Sequence, residues 1–175
     1  MDLMPRIIRI VLSPRDEWQR IAGEGWYAAL TYTLVLSLVP AFAAFINMRY
    51  SELQLPQQAV LFTYFASALS VLAIAAAFWL LARMFSPAAT LERCVKVAAY
   101  GTTPLFVASV LLVAPVLVIV CMVALLHVFY LYYLGAQELL GVRENEAAQF
   151  VALALVLAIV ASTLGGGAVG ALGLL

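Results

Sequence analysis

His127 is the one side chain in this sequence with obvious capacity for chemistry at depth in an apolar stretch. It sits in the run Val97–Gln137, which holds no aspartate, glutamate, lysine or arginine. An imidazole can donate, accept or carry a proton near neutral pH, and ionisable groups at bilayer depth are functional candidates by default. Tyr130 lies three residues on, on the same helical face, and could share a proton or a hydrogen bond with it. Thr63, Ser67 and Ser70 form a mild hydroxyl stripe in an earlier apolar run, and Tyr100, Thr102, Thr103 and Pro104 cluster at the start of the His127 run. Together these residues could line a small polar intramembrane site for a proton, an ion or a modest solute. The plainer alternative is a neutral imidazole bonded to a neighbouring helix, with the hydroxyls making interhelical hydrogen bonds. A proton relay needs several partners, and no second charged side chain lies at comparable depth.

Other chemistries find no support. Glu138, Glu144 and Glu146 have no histidine or cysteine beside them and read as a solvated loop. There is no nucleophile–base pair, HExxH, phosphate-cradling glycine loop or metal-ligand spacing. A non-enzymatic chain with no cofactor and no metal is expected. Nine basic and nine acidic residues leave no basic footprint for nucleic acid. Cys94, in a charged segment, and Cys121, in an apolar one, read as two unpaired thiols at different depths.

The elements that position these residues follow from hydropathy. Of 175 residues, 66% are hydrophobic and 10% charged, and the mean hydropathy is +1.08. One soluble core could not hide that much apolar surface, so the bilayer is the solvent. Spans of about 20 apolar residues fall near 26–48, 57–82, 98–114, 116–137 and 147–167, with Pro115 dividing the third from the fourth. The reading is an all-α polytopic membrane helix bundle of five transmembrane helices (residues 26–175), preceded by a cytoplasmic amphipathic segment (residues 1–25). With that count, eight basic residues fall on one side and Arg49 alone on the other. The positive-inside bias predicts an integral protein of the cell inner membrane, with its N-terminus cytoplasmic and its C-terminus on the outer face. The apolar run Ile7–Leu12 is too short, and too interrupted by Arg9, to read as a secretory signal.

Before the first span, Leu3, Met4, Ile7, Ile8 and Val11 share one helical face with Arg6 and Arg9 opposite, the pattern of an interfacial helix. Ser13-Pro14-Arg15-Asp16 reads as a second helix start, with Ser13 as cap and Pro14 in the first turn. Pro14, Trp18, Ile21 and Trp26 form an interfacial anchor. In the third span, Pro104 frees the carbonyl of Tyr100, which the hydroxyls of Thr102 or Thr103 could satisfy, while Gly101 permits a close approach. Pro40 frees the carbonyl of Leu36 in the same way, with Thr33 and Ser37 near it. Ala154, Ala158, Ser162, Gly166 and Gly170 recur every fourth residue, a ridge for helix packing or a dimer seam. Gly165-Gly166-Gly167 could end that helix.

The motifs Ser13-Pro14 with Trp18 and Ile21, then Tyr100-Gly101-Thr102-Thr103-Pro104 opening the third of five spans, resemble the bacterial branch of the Yip domain (Ypt/Rab-interacting protein) family. The resemblance covers nearly the whole chain. It implies an integral membrane protein whose eukaryotic relatives bind Rab-type GTPases. Two departures stop that inference: the N-terminal region is reduced to about 25 residues, and an Asp-Leu-Tyr-Gly-Pro-like signature is absent. GTPase binding is therefore not carried over. The expected function is a non-enzymatic membrane component acting by helix-mediated association with itself or other membrane proteins. The alternative is a small permease or channel using His127.

Overall fold

The computed structural model describes residues 3–50, 58–113 and 118–171. Its regular elements are helices. Two short ones, α1 (Leu3–Leu12) and α2 (Pro14–Ala22), come first. The first span is α3 (Trp26–Leu36) with α4 (Leu38–Tyr50), and the second is α5 (Gln58–Phe85). The third joins α6 (Leu91–Gly101), α7 (Thr103–Ala108) and a 3-10 segment (Ser109–Val113). α8 (Val118–Glu138) and α9 (Glu144–Ala171) are the fourth and fifth. Among the described residues five helical stretches are long and apolar enough to cross a membrane. The expected five-span all-α bundle is what the chain forms.

The third span is the hub. In its most apolar window 72% of the residues are buried inside the protein, against 28–39% in the other four. Those four turn leucine, isoleucine and phenylalanine outward, as at Phe62, Phe65, Leu126 and Ile159. Lipid is as good a solvent for such faces as a core. The hub can be approached closely because Gly101 has no side chain. A Cβ there would stand 2.4 Å from the ring of Tyr132, itself fully buried and edge-on to Phe78. Gly101→Ala is expected to cost about 1–3 kcal/mol through overpacking, read as a lowered thermal midpoint in detergent.

Several boundaries differ from the sequence reading. The third span starts at Leu91 rather than near residue 98, because Thr90 caps α6 with its hydroxyl on the Arg93 N–H at 3.3 Å. Glu92 and Lys96 are therefore one helical turn apart and paired at 3.0 Å. Cys94 lies buried in that helix, not in a loop. The stretch after Gly141 is also helix: α9 begins at Glu144, with Glu144 and Glu146 in its first turn facing the positive end of its dipole. Gly141, at φ 70°, closes α8 while the Val142 N–H bonds the carbonyl of Ala136 at 3.0 Å. The three glycines do not end α9, which runs on to Ala171.

In the first span the helix breaks at Ser37, and Pro40 falls in the first turn of α4, where a missing N–H is least costly. The nearby hydroxyls bond other carbonyls than expected: Ser37 that of Thr33 at 2.8 Å, Thr33 that of Ala29 at 2.9 Å. The turn at Pro115 and the last four residues lie outside the described residues.

The N-terminal segment departs furthest. α1 does turn Ile10 into the core, with Leu3, Ile7 and Val11 half-buried. Its arginines do not face solvent opposite that stripe. Arg6 and Arg9 turn toward acids that follow α1, while Met4, Ile8 and Leu12 form a second, exposed apolar stripe. α2 buries Trp18 and Ile21 completely, and Ser13 makes no side-chain cap.

Candidate functional site

The two threonines of the Tyr100–Pro104 stretch act as latches. Pro104 has no N–H for the carbonyl of Tyr100, and the Thr103 hydroxyl donates to that carbonyl at 2.6 Å. A hydroxyl has one proton to give. At the 2.8 Å contact between Thr103 and Tyr32, Tyr32 is therefore the donor. Thr102 repeats the device one residue earlier. Its hydroxyl donates to the carbonyl of Ala98 at 2.7 Å and receives the Tyr132 hydroxyl at 2.6 Å. One latch holds the hub to α3, the other to α8.

Tyr100 continues the network toward the charged end of the bundle. Its hydroxyl donates to the Glu24 carboxylate at 3.0 Å and accepts from Arg6 at 2.8 Å. Arg6 grips Glu24 with both terminal nitrogens, one of them at 2.5 Å. Glu17, 1% exposed, takes Arg9 Nε at 2.9 Å and lies 3.5 Å from Arg6 Nε. Buried Lys96 reaches the carbonyl of Ala22 at 3.4 Å, fixing the end of α2. Arg93 ties the two short loops of this end by donating to the carbonyls of Ala88 and Leu139, each at 3.3 Å.

The hydrogen bond from Arg6 holds the Glu24 carboxyl below the usual carboxylate range, against the opposing effect of burial, and Glu24 raises Arg6 in return. A depressed carboxyl stabilises the fold fully above its unfolded value of about 4.3, and that contribution is lost as pH falls through the folded value. α1 is therefore expected to loosen below about pH 4, seen as faster amide exchange in residues 3–12. Glu24→Gln should reduce the pH dependence of that loosening, leaving what the Glu17 pairs with Arg6 and Arg9 contribute.

The residues expected to share a polar cavity separate into groups. Tyr100, Thr102, Thr103 and Pro104 come together with Tyr32 and Tyr132. His127 and Tyr130 keep each other's company, ring centroids 5.9 Å apart, with the histidine Nε2 buried and unbonded. Thr63 and Ser70 bond carbonyls of their own helix, those of Ala59 and Ser67, both at 2.7 Å. Ser70, Thr102 and Tyr132 border a cavity of about 610 Å³ that His127 does not line. Its remaining wall is apolar apart from Thr163, with Phe106, Phe129 and Leu155 prominent.

On α9, Ala154 and Ala158 are buried within the bundle. The side-chain surroundings of Ser162, Gly166 and Gly170 lie outside the description. Of the anchor residues, Pro14 opens α2. Trp18 and Ile21 are core, and only Trp26 is more than half exposed. Sequence reasoning missed Arg6, Glu17, Glu24, Tyr32 and Tyr132 as members of one network. The usable signal was matched depth: Tyr32 and Tyr132 stand within their spans about level with the Thr102-Thr103 pair, and Glu24 sits at the membrane edge between two glycines.

A five-helix bundle with its polar side chains latched to one another around a central span defines a polytopic integral membrane protein. The family model described as the Yip1 domain matches residues 8–165, and the chain belongs to that family. Comparison with curated proteins and with solved structures returned no match.

Proposed function

We propose that this Yip1-family protein is non-enzymatic and works by association, through its helices, with itself or with other membrane proteins. One observation carries the reading. The hydroxyls at the hub are spent on one another and on the backbone of their own span, leaving them to fix shape rather than to meet a solute. Ala154 and Ala158 are already used inside the bundle, so association falls to other surfaces, including the exposed stripe of α1. The positive-inside bias of the sequence supports a charged end, with α1 and α2, on the cytoplasmic side of the inner membrane and a C-terminus outside. GTPase binding is not part of this reading.

The test is cross-linking in native membranes at native expression, followed by gentle purification and mass spectrometry. A reproducible partner in near-equal amount, or a defined homo-oligomer, is expected. A strictly monomeric protein with nothing retained would sink the reading.

A second reading, a small permease or channel, has the buried, unbonded Nε2 of His127 in its favour. It requires flux in reconstituted vesicles that His127→Ala reduces. Vesicles with no flux above background would end it.

A further inference from the structure

The contact that holds α1 down has the chemistry of a ligand site. Arg6 meets the Glu24 carboxylate through two nitrogens, the fork geometry that suits a guanidinium better than an ammonium. The Tyr100 hydroxyl bridges both groups. The Arg6 Cζ lies 5.2 Å from the centroid of the Tyr100 ring, within cation–π range. Tyr32 backs that ring at 4.7 Å between centroids. A carboxylate, an aromatic face and a hydroxyl thus converge on one planar cation. The cation alone comes from α1; the receiving groups come from residues that follow it.

Glu17 adds a second, independent observation. It is 1% exposed, and its Oε1 has no hydrogen-bond partner although Arg6 Nε stands 3.5 Å away. Its other oxygen takes Arg9. Arg20 of its own helix reaches it only at 3.6 Å, from a side chain 63% exposed. If α1 lifts, two buried or half-buried carboxylates lose two guanidiniums spaced three residues apart. A buried carboxylate left without a cation is costly, so the vacated surface would select a replacement of the same pattern. That pattern is a helix with arginines at i and i+3 beside apolar residues, as α1 itself has in Arg6 and Arg9 with Ile7 and Ile10.

We propose that Glu24, Tyr100 and Tyr32, with Glu17 beside them, form a guanidinium-recognition site that α1 fills in cis and that a basic amphipathic helix of a partner membrane protein fills in trans. The partner half of this proposal rests on the associative function proposed above; the box itself does not.

The trans half is tested on the full chain in nanodiscs, spin-labelled at Leu12→Cys in a Cys121→Ala background. Leu12 is exposed and Cys94 buried, so the label reports α1. The probe is a synthetic peptide of residues 1–12. A saturable rise in the mobile spectral fraction is expected, at least about tenfold weaker in affinity when both peptide arginines are alanine. No mobile fraction, or equal response to the two peptides, overturns occupation in trans.

The box is tested with Arg6→Ala and free ethylguanidinium, which should raise its thermal midpoint by about 2–4 °C. Ethylammonium should not, nor should ethylguanidinium act on Arg6→Ala combined with Glu24→Gln. Equal effects on all three overturn the box. If Arg6→Ala does not fold, Arg6→Lys serves: it keeps the charge and loses the fork, and guanidinium should loosen its α1 more than wild-type α1. Equal loosening overturns the box. A partner captured in native membranes that the peptide does not compete away leaves the associative function standing and overturns this site.

Discussion

Trp18→Ala is expected to lower the stability of the purified protein by about 3–5 kcal/mol, among the largest effects of any single change proposed for this chain. Trp18 is completely buried although it precedes the first span by eight residues. A Cβ at Gly135 would stand 3.1 Å from the Trp18 ring and 3.0 Å from Val97, so the ring lies in a slot that the glycine opens in α8. Truncation to alanine leaves a void between α2, α6 and α8 that rigid helices cannot close. The void also undercuts the ion pairs above it, because Glu17 is positioned by the same turn of α2. Thermal unfolding in detergent should register the stability loss, and amide exchange should show α1 and α2 freed together. If Trp18→Ala left both unchanged, α2 would be a loose anchor and the core role assigned to it would be wrong. Trp18→Phe should lie between the two, since it keeps an aromatic ring in the slot.

The Trp18 result also separates what could be read from the sequence from what could not. The five spans were legible because 20-residue apolar runs are a physical requirement of the bilayer; the helical start was legible too, but not the inward turn of its arginines. Tryptophan favours the headgroup region, which makes Trp18 an interfacial anchor on sequence alone; the structure spends it in the core instead. One glycine explains the difference. Gly135 is unremarkable in a hydropathy plot, yet it admits the Trp18 ring from α2. The charged start of α6 was hidden for a related reason. Glu92, Arg93 and Lys96 look like loop residues when counted as charges, yet they lie in α6, where Glu92 and Lys96 pair one turn apart. His127 drew attention because it is chemically conspicuous. The network that organises the bundle is built from tyrosine and threonine, whose partners lie 30 to 71 residues apart and leave no local pattern.

Thr103→Val is expected to cost about 2–6 kcal/mol, because one hydroxyl serves two buried groups and each stranded group costs about 1–3 kcal/mol. The valine keeps the shape and removes the donor to the Tyr100 carbonyl and the acceptor of the Tyr32 hydroxyl. Water cannot substitute at a fully buried position within a span. Tyr32→Phe tests the apportionment. It removes the tyrosine proton and leaves the Thr103-to-Tyr100 bond intact, so it should cost about 1 kcal/mol. The double variant should cost less than the two single changes added together, since a phenylalanine leaves no hydroxyl to strand. Thr103→Ser should be milder than either, provided its hydroxyl still reaches the carbonyl. The consequence extends past stability. Tyr32 packs its ring, tilted, against Tyr100, and Tyr100 positions Glu24 for Arg6. A Thr103→Val protein that folds should therefore show a looser α1 than wild type at neutral pH. If instead α1 stayed as protected from exchange as in the wild type, the threonine latch and the arginine box would be two separate devices, and the mouth of the third span would serve only to repair the kink that Pro104 makes.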